Sequence, residues 1–202
     1  LGKMEMTDKL RAAKGEALIC RAYAHFVLVN IFCQQYDPNY PDDMGIPYME
    51  KAETELDPKY ERGTVAEVYA KIEKDIEEGL PLIDDAIYSV PKYHFNRKAA
   101  YSFAARFFLY YQKWDKAAEY ASEALTNAPE SQLRDYEALL EYPMNNGSTQ
   151  NTAATYYIST DLPCNYLLAT AYSSSGTYFG GYSSGRRYNH GWLIGQTESI
   201  SC

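Results

Sequence analysis

The N-terminal part of the chain carries apolar residues at the spacing of an α-helix. One stripe recurs every three or four residues and consists of Leu10, Ala13, Ala17, Cys20, Ala24, Leu28 and Ile31. A second stripe on the same segment consists of Leu18, Ala22, Phe26 and Val29. Because apolar residues then surround nearly the whole later half of the helix, the pattern predicts a central, buried helix.

A second, amphipathic helix is predicted to begin at Thr64. Thr64 and Glu67 have the spacing of a capping box, in which each side chain bonds the backbone amide of the other residue. The apolar positions that follow are Val65, Val68, Tyr69, Ile72, Ile76 and Leu80. Gly79 and Pro81 are predicted to end the helix, because glycine favours a C-terminal cap and proline disrupts the bonding of a helix interior.

Residues 98–129 place large and small side chains at the offsets of a helix–turn–helix pair. The matching residues are Tyr101, Ala104, Ala105, Phe108, Trp114, Ala117, Ala121, Ala124 and Pro129. They follow the pattern of a tetratricopeptide (TPR) repeat of about 34 residues. Small residues let paired helices approach closely, and Tyr101, Phe108 and Trp114 are predicted to fill the wedge between them. One repeat cannot cover its own apolar faces, so the upstream helices are predicted to pack against it.

Two segments lack a helical pattern. An insert at residues 34–63 is rich in Tyr, Pro and Asp, and a loop of this length usually has a surface role or covers a neighbouring element. After Pro143 most charged residues disappear and Asn, Ser, Thr, Gly and Tyr dominate. We therefore predict a helical region at 1–143 and a loop-rich aromatic segment at 144–202, incomplete at its C-terminus, with a short strand at 154–159.

Composition excludes some partners and cofactors. The net charge of the 202 residues is −8, and the Lys and Arg residues are interleaved with acidic ones. Nucleic acid is therefore not a predicted partner, because binding a phosphate backbone needs clustered basic residues. The four cysteines form no CxxC pair and have no metal-ligand spacing with the histidines, so no metal or other cofactor is predicted. Cys20 is predicted to be a small buried core residue.

No enzymatic activity is predicted. A glycoside hydrolase needs two carboxylates about 5 to 10 Å apart, and the aromatic segment offers only Asp161 and Glu198, which are far apart in sequence. Asp42 and Asp43 are predicted to cap a turn or remain solvated. The sequence contains no GxSxG nucleophile motif and no glycine-rich phosphate loop.

Four other polar residues are assigned structural roles. Arg21 lies in the apolar helix and is predicted to bond carbonyls or a carboxylate of a neighbouring helix, since a buried charge must be paired. His25 is predicted to be a satisfied polar residue between helices. Asp84 and Asp85 are predicted to lie in a solvated turn, because a calcium site needs six or more oxygen ligands.

Four segments, in this order, resemble the central helical part of the SusD/RagB family of Bacteroidetes outer-membrane lipoproteins: RAYAHFVLVNIF, YDPNYPDDMGIPY, RGTVAEVYAKIEKDIEEGLPLI and AAYSFAARFFLYYQKWDKAAEYASEAL. The resemblance extends from about residue 7 to residue 143. It implies a mainly α fold of SusD-like TPR helical repeats, an α/α superhelix, with a loop-rich segment containing short strands. One departure is Cys33, where the family often has Gly, and we expect it to alter a helix C-terminus rather than the function.

The resemblance also implies a cellular role. SusD-like proteins bind glycans at the bacterial cell surface beside a SusC-like TonB-dependent outer-membrane transporter, and a lipid anchor attaches them to the outer membrane. The present sequence shows no signal peptide, lipobox or long transmembrane run, and family members are roughly twice its length or more. We therefore expect the chain to be a piece of a longer, surface-exposed lipoprotein.

The candidate ligand-binding residues lie in the aromatic segment. A pyranose ring has an apolar C–H face and a rim of hydroxyls, so it binds flat aromatic rings beside amide and guanidinium groups. The candidates are Tyr178, Phe179, Tyr182, Arg186, Arg187, Tyr188, Asn189 and Trp192. They are chosen by composition and position, because none matches a family ligand residue one for one. The alternative is that these aromatic residues pack the segment against the helices or against the expected remainder of the longer protein.

Three functions are consistent with the sequence. The first is glycan capture of the SusD type, and the second is capture of peptides by a RagB-like relative with the same fold. The third is a TPR adaptor that binds a protein in its groove. An adaptor would carry Asn, Lys and Arg at regular repeat offsets, and a single clear repeat with a long insert counts against it.

Overall fold

A computed structural model describes residues 7–54, 56, 58–125, 129–140, 156 and 159–167. All of these belong to Leu1–Leu168, one of the two units into which the chain divides. The described helices are α1 (Asp8–Phe32), α2 (Val65–Gly79), α3 (Arg97–Tyr110), α4 (Trp114–Leu125), α5 (Pro129–Gln132) and α6 (Tyr136–Leu140). Three 3-10 turns, Leu80–Leu82, Asp85–Ile87 and Pro91–Tyr93, connect α2 to α3.

The predicted mainly α fold is confirmed. The described residues contain no β-sheet, and their single strand-like pairing is an antiparallel bridge between Met44 and Thr64. The boundary predicted at residue 143 lies outside the described residues. So does the strand predicted at 154–159, apart from Tyr156 and Ser159.

The first two long helices begin at the polar caps that their sequences provide. Thr7 accepts the amide of Leu10 at the start of α1. At α2 the predicted capping box is complete, because Thr64 accepts the Glu67 amide at 3.1 Å and Glu67 accepts the Thr64 amide at 2.8 Å. As predicted, α2 ends at Gly79, and the chain continues as the turn that contains Pro81.

Helices α1 and α2 approach each other closely at two glycines. A Cβ atom built on Gly15 would lie 2.9 Å from the carbonyl oxygen of Gly79, and one built on Gly79 would lie 3.0 Å from the carbonyl oxygen of Gly15. Only glycine leaves this space free, since real Cβ contacts are longer. The crossing point of the two helices is therefore set by these residues.

Helices α3 and α4 form the predicted helix–turn–helix pair. Asn96 caps α3 by accepting the Ala99 amide, and Gln112 adopts a positive φ of 60° in the turn between the helices. Phe108 is fully buried and Tyr101 partly so, as predicted. The prediction for Trp114 is wrong, because this residue is 60% exposed at the start of α4. Tyr120 fills the wedge instead, with its ring centroid 5.2 Å from that of Phe108 and 5.9 Å from that of Tyr101.

The two apolar stripes of α1 have different environments. Ala22, Phe26 and Val29 of the second stripe are buried in the core, where Phe26 contacts Phe103 and Phe107 edge to face. The first stripe is exposed from residue 13 to residue 31, so the prediction of a helix buried all round is wrong for this face. Cys20 lies in it and is exposed, not buried as predicted, because the helices that form the core pack on the opposite side of α1.

Among the described helices, α1 alone is long and apolar enough to cross a membrane by length and composition. Core helices meet the same criterion, and α1 buries residues along one side against the other helices. We therefore describe α1 as a helix of the core.

Lysines of the α3–α4 hairpin bind acidic residues of α2. Glu73 accepts hydrogen bonds from Lys113 Nζ at 2.6 and 2.7 Å and from Lys116 Nζ at 2.8 Å. Lys116 also bonds Glu77. Partial burial of Glu73 opposes ionisation, but the bonds to the two lysines outweigh it and hold the pKa of the carboxyl below its ordinary value. This cluster joins the two pairs of helices.

Candidate functional site

The ligand-binding residues predicted from the aromatic segment lie outside the described residues. They are Tyr178, Phe179, Tyr182, Arg186, Arg187, Tyr188, Asn189 and Trp192. Their role therefore remains a prediction. The candidate site within the described residues is in the insert at 34–63. For this insert the sequence predicts only a surface role or the covering of a neighbouring element.

An ion pair between α1 and α2 supports the insert. Arg21 Nε and Nη2 donate to the two carboxylate oxygens of Asp75, both at 2.6 Å. Asp75 is 3% exposed, so its charge requires this partner. The hydrogen bonds to Asp75 raise the pKa of Arg21 further above its ordinary value and keep the guanidinium charged. The prediction that Arg21 pairs with a carboxylate of a neighbouring helix is confirmed.

The insert is bonded to the same two residues. Tyr48 Oη donates to Asp75 Oδ2 at 2.7 Å, and Arg21 Nη1 donates to the carbonyl oxygen of Glu50 at 3.2 Å. Burial, followed by the bond to Asp75, raises the pKa of Tyr48, so its hydroxyl remains a donor. Asp75 therefore links α1, α2 and the insert through one carboxylate.

His25 makes a third connection between α1 and the insert. Its Nδ1 lies 2.8 Å from the carbonyl oxygen of Arg21, and the Met49 amide donates to its Nε2 at 2.9 Å. These partners assign the neutral tautomer with the proton on Nδ1, since Nε2 must accept. The ring also stacks on Tyr48 with centroids 3.9 Å apart. His25 is satisfied as predicted, but its partner outside α1 is the backbone of the insert and not another helix.

Beyond these anchors, residues 48–54 and 58–60 of the insert line an open concavity of about 480 Å³. Tyr60 lines it and is 45% exposed. Tyr60 Oη donates to Glu53 Oε1 at 2.6 Å, and this bond raises the pKa of Tyr60 to about 12. The concavity therefore presents an accessible aromatic ring whose hydroxyl is fixed by a carboxylate. Its volume lies within the range of small-molecule sites.

The carboxylates of Asp84 and Asp85 accept backbone amides. Asp84 accepts the Ala86 amide and caps the 3-10 turn at Asp85–Ile87, and Asp85 accepts the amide of Arg97, the first residue of α3. Asp43 contributes its backbone carbonyl, which accepts the Val65 amide at 2.7 Å at the start of α2. Among the described residues, no group of three His, Cys, Asp or Glu side chains could hold a metal ion.

The family of the chain is shown by a match that includes this site. Residues 1–109 match the sequence profile of a SusD-like family that is described as starch-binding and associating with the outer membrane. The chain belongs to the SusD/RagB family. The matched residues contain the whole insert, Arg21, His25 and Asp75.

Solved structures of proteins from Bacteroides species, two of them named as SusD superfamily proteins, have a similar fold. One from Bacteroides vulgatus, provisionally named a sugar-binding protein, is 27% identical, has a TM-score of 0.57 and is matched over 74% of the present chain and 34% of its own. A second from the same organism is 26% identical, with a TM-score of 0.55 over 69% of the present chain and 32% of its own.

A third structure, from Bacteroides thetaiotaomicron, supports the fold alone at 23% identity, with a TM-score of 0.56 over 69% of this chain and 30% of its own. The SusD-like chain thus spans about a third of the length of these three structures. A comparison with curated proteins finds no match.

Proposed function

We propose that this SusD-like chain is part of a protein that binds glycans at the bacterial cell surface for nutrient uptake. The observation that carries the proposal is the match of residues 1–109 to a family described as starch-binding and associating with the outer membrane. The name of the 27% identical structure from Bacteroides vulgatus adds support, since it refers to sugar binding. Capture of peptides by a RagB-like relative is the competing outcome.

The proposed chemistry is stacking of sugar rings on aromatic side chains. The apolar C–H face of a pyranose packs on an aromatic ring, while its hydroxyls bond nearby polar groups. Each stacked ring contributes about 1 kcal/mol, so a few together give dissociation constants of roughly micromolar to millimolar. Tyr60 in the insert is such a ring within the described residues, and the residues from 178 to 192 are the further candidates from the sequence.

The proposal includes a partner and a location. In it, the protein is a surface-exposed lipoprotein of the outer membrane and passes its oligo- or polysaccharide to a SusC-like TonB-dependent transporter. No bond of the glycan is broken, and no cofactor takes part. Family membership supports each of these statements.

Affinity electrophoresis tests the proposed binding. Wild-type protein is run in native gels with and without soluble starch, dextran, xylan or polygalacturonate, and a peptide mixture is tested beside them by thermal shift. The Trp192→Ala variant is compared with Trp114→Ala, which removes an exposed tryptophan from the start of α4.

We expect a polysaccharide to retard the wild-type protein and Trp114→Ala equally, and Trp192→Ala less. Stabilisation by peptides without retardation by any polysaccharide would contradict glycan binding. Equal retardation of all three proteins would exclude Trp192 from the site and leave glycan binding intact.

A further inference from the structure

The concavity of the insert has the features of a sugar subsite. Tyr60 and Glu53 both line it, and the hydrogen bond of 2.6 Å from Tyr60 Oη to Glu53 Oε1 holds the ring and the carboxylate next to each other. The Glu53 carboxylate retains acceptor capacity beyond this bond, because an ionised carboxylate accepts at about four lone-pair positions. An aromatic ring next to a charged acceptor suits a ring with an apolar face and a hydroxylated rim.

Tyr60 is the aromatic residue of this concavity that is free to stack. Tyr48 also lines it, but its ring already stacks on His25 at a centroid distance of 3.9 Å, and its hydroxyl is bonded to Asp75. Tyr60 is 45% exposed and contributes its hydroxyl to Glu53. A ligand that needs an aromatic surface would therefore pack on Tyr60.

One side of the concavity is fixed to the helices. Tyr48, Met49 and Glu50 are bonded to Asp75, His25 and Arg21 respectively. Preorganisation of this kind favours binding, because less conformational entropy is lost when the ligand arrives. The insert is thus held in place at the point where the concavity begins.

The charges that line the concavity favour an uncharged ligand. Glu50 and Glu53 are matched by Lys51 and Lys59, so the formal charges of the lining balance. An acidic glycan would gain no net attraction from this lining and would approach a chain with a net charge of −8. A neutral sugar avoids that repulsion and can use both carboxylate and ammonium groups as hydrogen-bond partners.

We propose that the concavity of the insert is a binding subsite for a neutral pyranose unit, whose apolar face packs on Tyr60 and whose hydroxyls bond Glu53. The proposal rests on the proposed glycan-binding function and adds a site and a ligand class to it. The volume of the concavity, about 480 Å³, leaves room for one sugar unit, with the neighbouring units of the glycan extending into solvent.

Four variants test the subsite by affinity electrophoresis with three neutral polysaccharides, soluble starch, dextran and xylan, and with the acidic polygalacturonate. Tyr60→Ala removes the ring, Tyr60→Phe keeps the ring without its hydroxyl, and Glu53→Gln removes the charge. Tyr40→Ala is the matched control, since Tyr40 is an exposed tyrosine of the same insert outside the concavity. Circular dichroism melting confirms that each variant is folded.

For a neutral polysaccharide, we expect Tyr60→Ala to weaken binding about fivefold to tenfold, the equivalent of losing one aromatic stacking contact. Tyr60→Phe and Glu53→Gln should weaken it about twofold to fivefold, because each loses hydrogen bonding but keeps the ring. Tyr40→Ala should bind like the wild-type protein.

Two results would overturn the subsite while leaving glycan binding in place. One is retardation of Tyr60→Ala equal to that of the wild-type protein by a neutral polysaccharide. The other is retardation of the wild-type protein by polygalacturonate alone. If none of the polysaccharides retards the wild-type protein, the proposed function and the subsite are both wrong.

Discussion

Arg21 of α1 and Asp75 of α2 form a two-point ion pair with both hydrogen bonds at 2.6 Å, and both residues also hold the insert. Replacing Asp75 by Ala would leave the Arg21 guanidinium and the Tyr48 hydroxyl without their acceptor. We expect the free energy of unfolding, measured with urea, to fall by about 3 kcal/mol.

The control for this substitution is Glu78→Ala on the same helix. Glu78 pairs with Lys74 at 3.9 Å, and both side chains are exposed, so removing it should cost less than about 0.5 kcal/mol. If Asp75→Ala and Glu78→Ala lowered the free energy of unfolding equally, the Arg21–Asp75 pair would have no special role in stability.

A methyl group at Gly15 is expected to separate α1 from α2. In Gly15→Ala the new Cβ would lie 2.8 Å from Leu82 Cβ and 2.9 Å from the Gly79 carbonyl oxygen, and a backbone atom cannot move aside cheaply. Alanine gains about 1 kcal/mol in helix propensity, but overpacking costs about 1 to 3 kcal/mol or more. We therefore expect a net decrease in the melting temperature. Ala13→Ser, at an exposed position of α1, is the control and should change it little.

The Glu73 cluster predicts a loss of stability in acid. The pKa of Glu73 is lower in the folded chain than its ordinary value of 4.5, so the carboxylate stabilises the fold above that value. This contribution is lost as the pH falls through the lower, folded-state pKa. The free energy of unfolding, measured with urea at pH 7 and at pH 3, should therefore decrease more between the two pH values for the wild-type protein than for Glu73→Gln. Identical losses for the two proteins would contradict the assigned role of Lys113 and Lys116.

Hydrogen exchange can test the link between His25 and the insert. The substitution His25→Phe keeps an aromatic ring against Tyr48 but removes the acceptor of the Met49 amide. We expect exchange of the Met49 amide to become about fivefold to tenfold faster, as for the loss of one hydrogen bond. The amide of Ile72, in the middle of α2, is the internal control. Unchanged protection at Met49 would mean that His25 does not hold the insert.

Features that depend on local sequence could be predicted. The capping box of Thr64 and Glu67 needs only a spacing of three residues, and the end of α2 follows from Gly79 and Pro81. The partner of Arg21 was predicted by type, because a charge on an apolar helix must be paired, but the sequence alone did not identify it as Asp75.

The errors come from packing between elements. Periodicity shows that Cys20 lies on an apolar face of α1, but it does not show whether another element covers that face. Trp114 fits the TPR pattern, yet Tyr120 occupies the wedge, and the spacing of residues alone does not show which aromatic residue of α4 faces α3. The bond from the Met49 amide to His25 leaves no signal in the sequence, because every residue except proline offers a backbone donor.

Calorimetric titration of the chain, with the polysaccharide that retards it most in gels, tests glycan capture without cleavage most directly. The proposed function predicts a saturable binding curve with a dissociation constant of roughly micromolar to millimolar. It also predicts that the polysaccharide recovered from the calorimeter after the titration will have an unchanged chain length. The absence of saturable heat with every polysaccharide of the panel, or recovery of shortened chains, would contradict it.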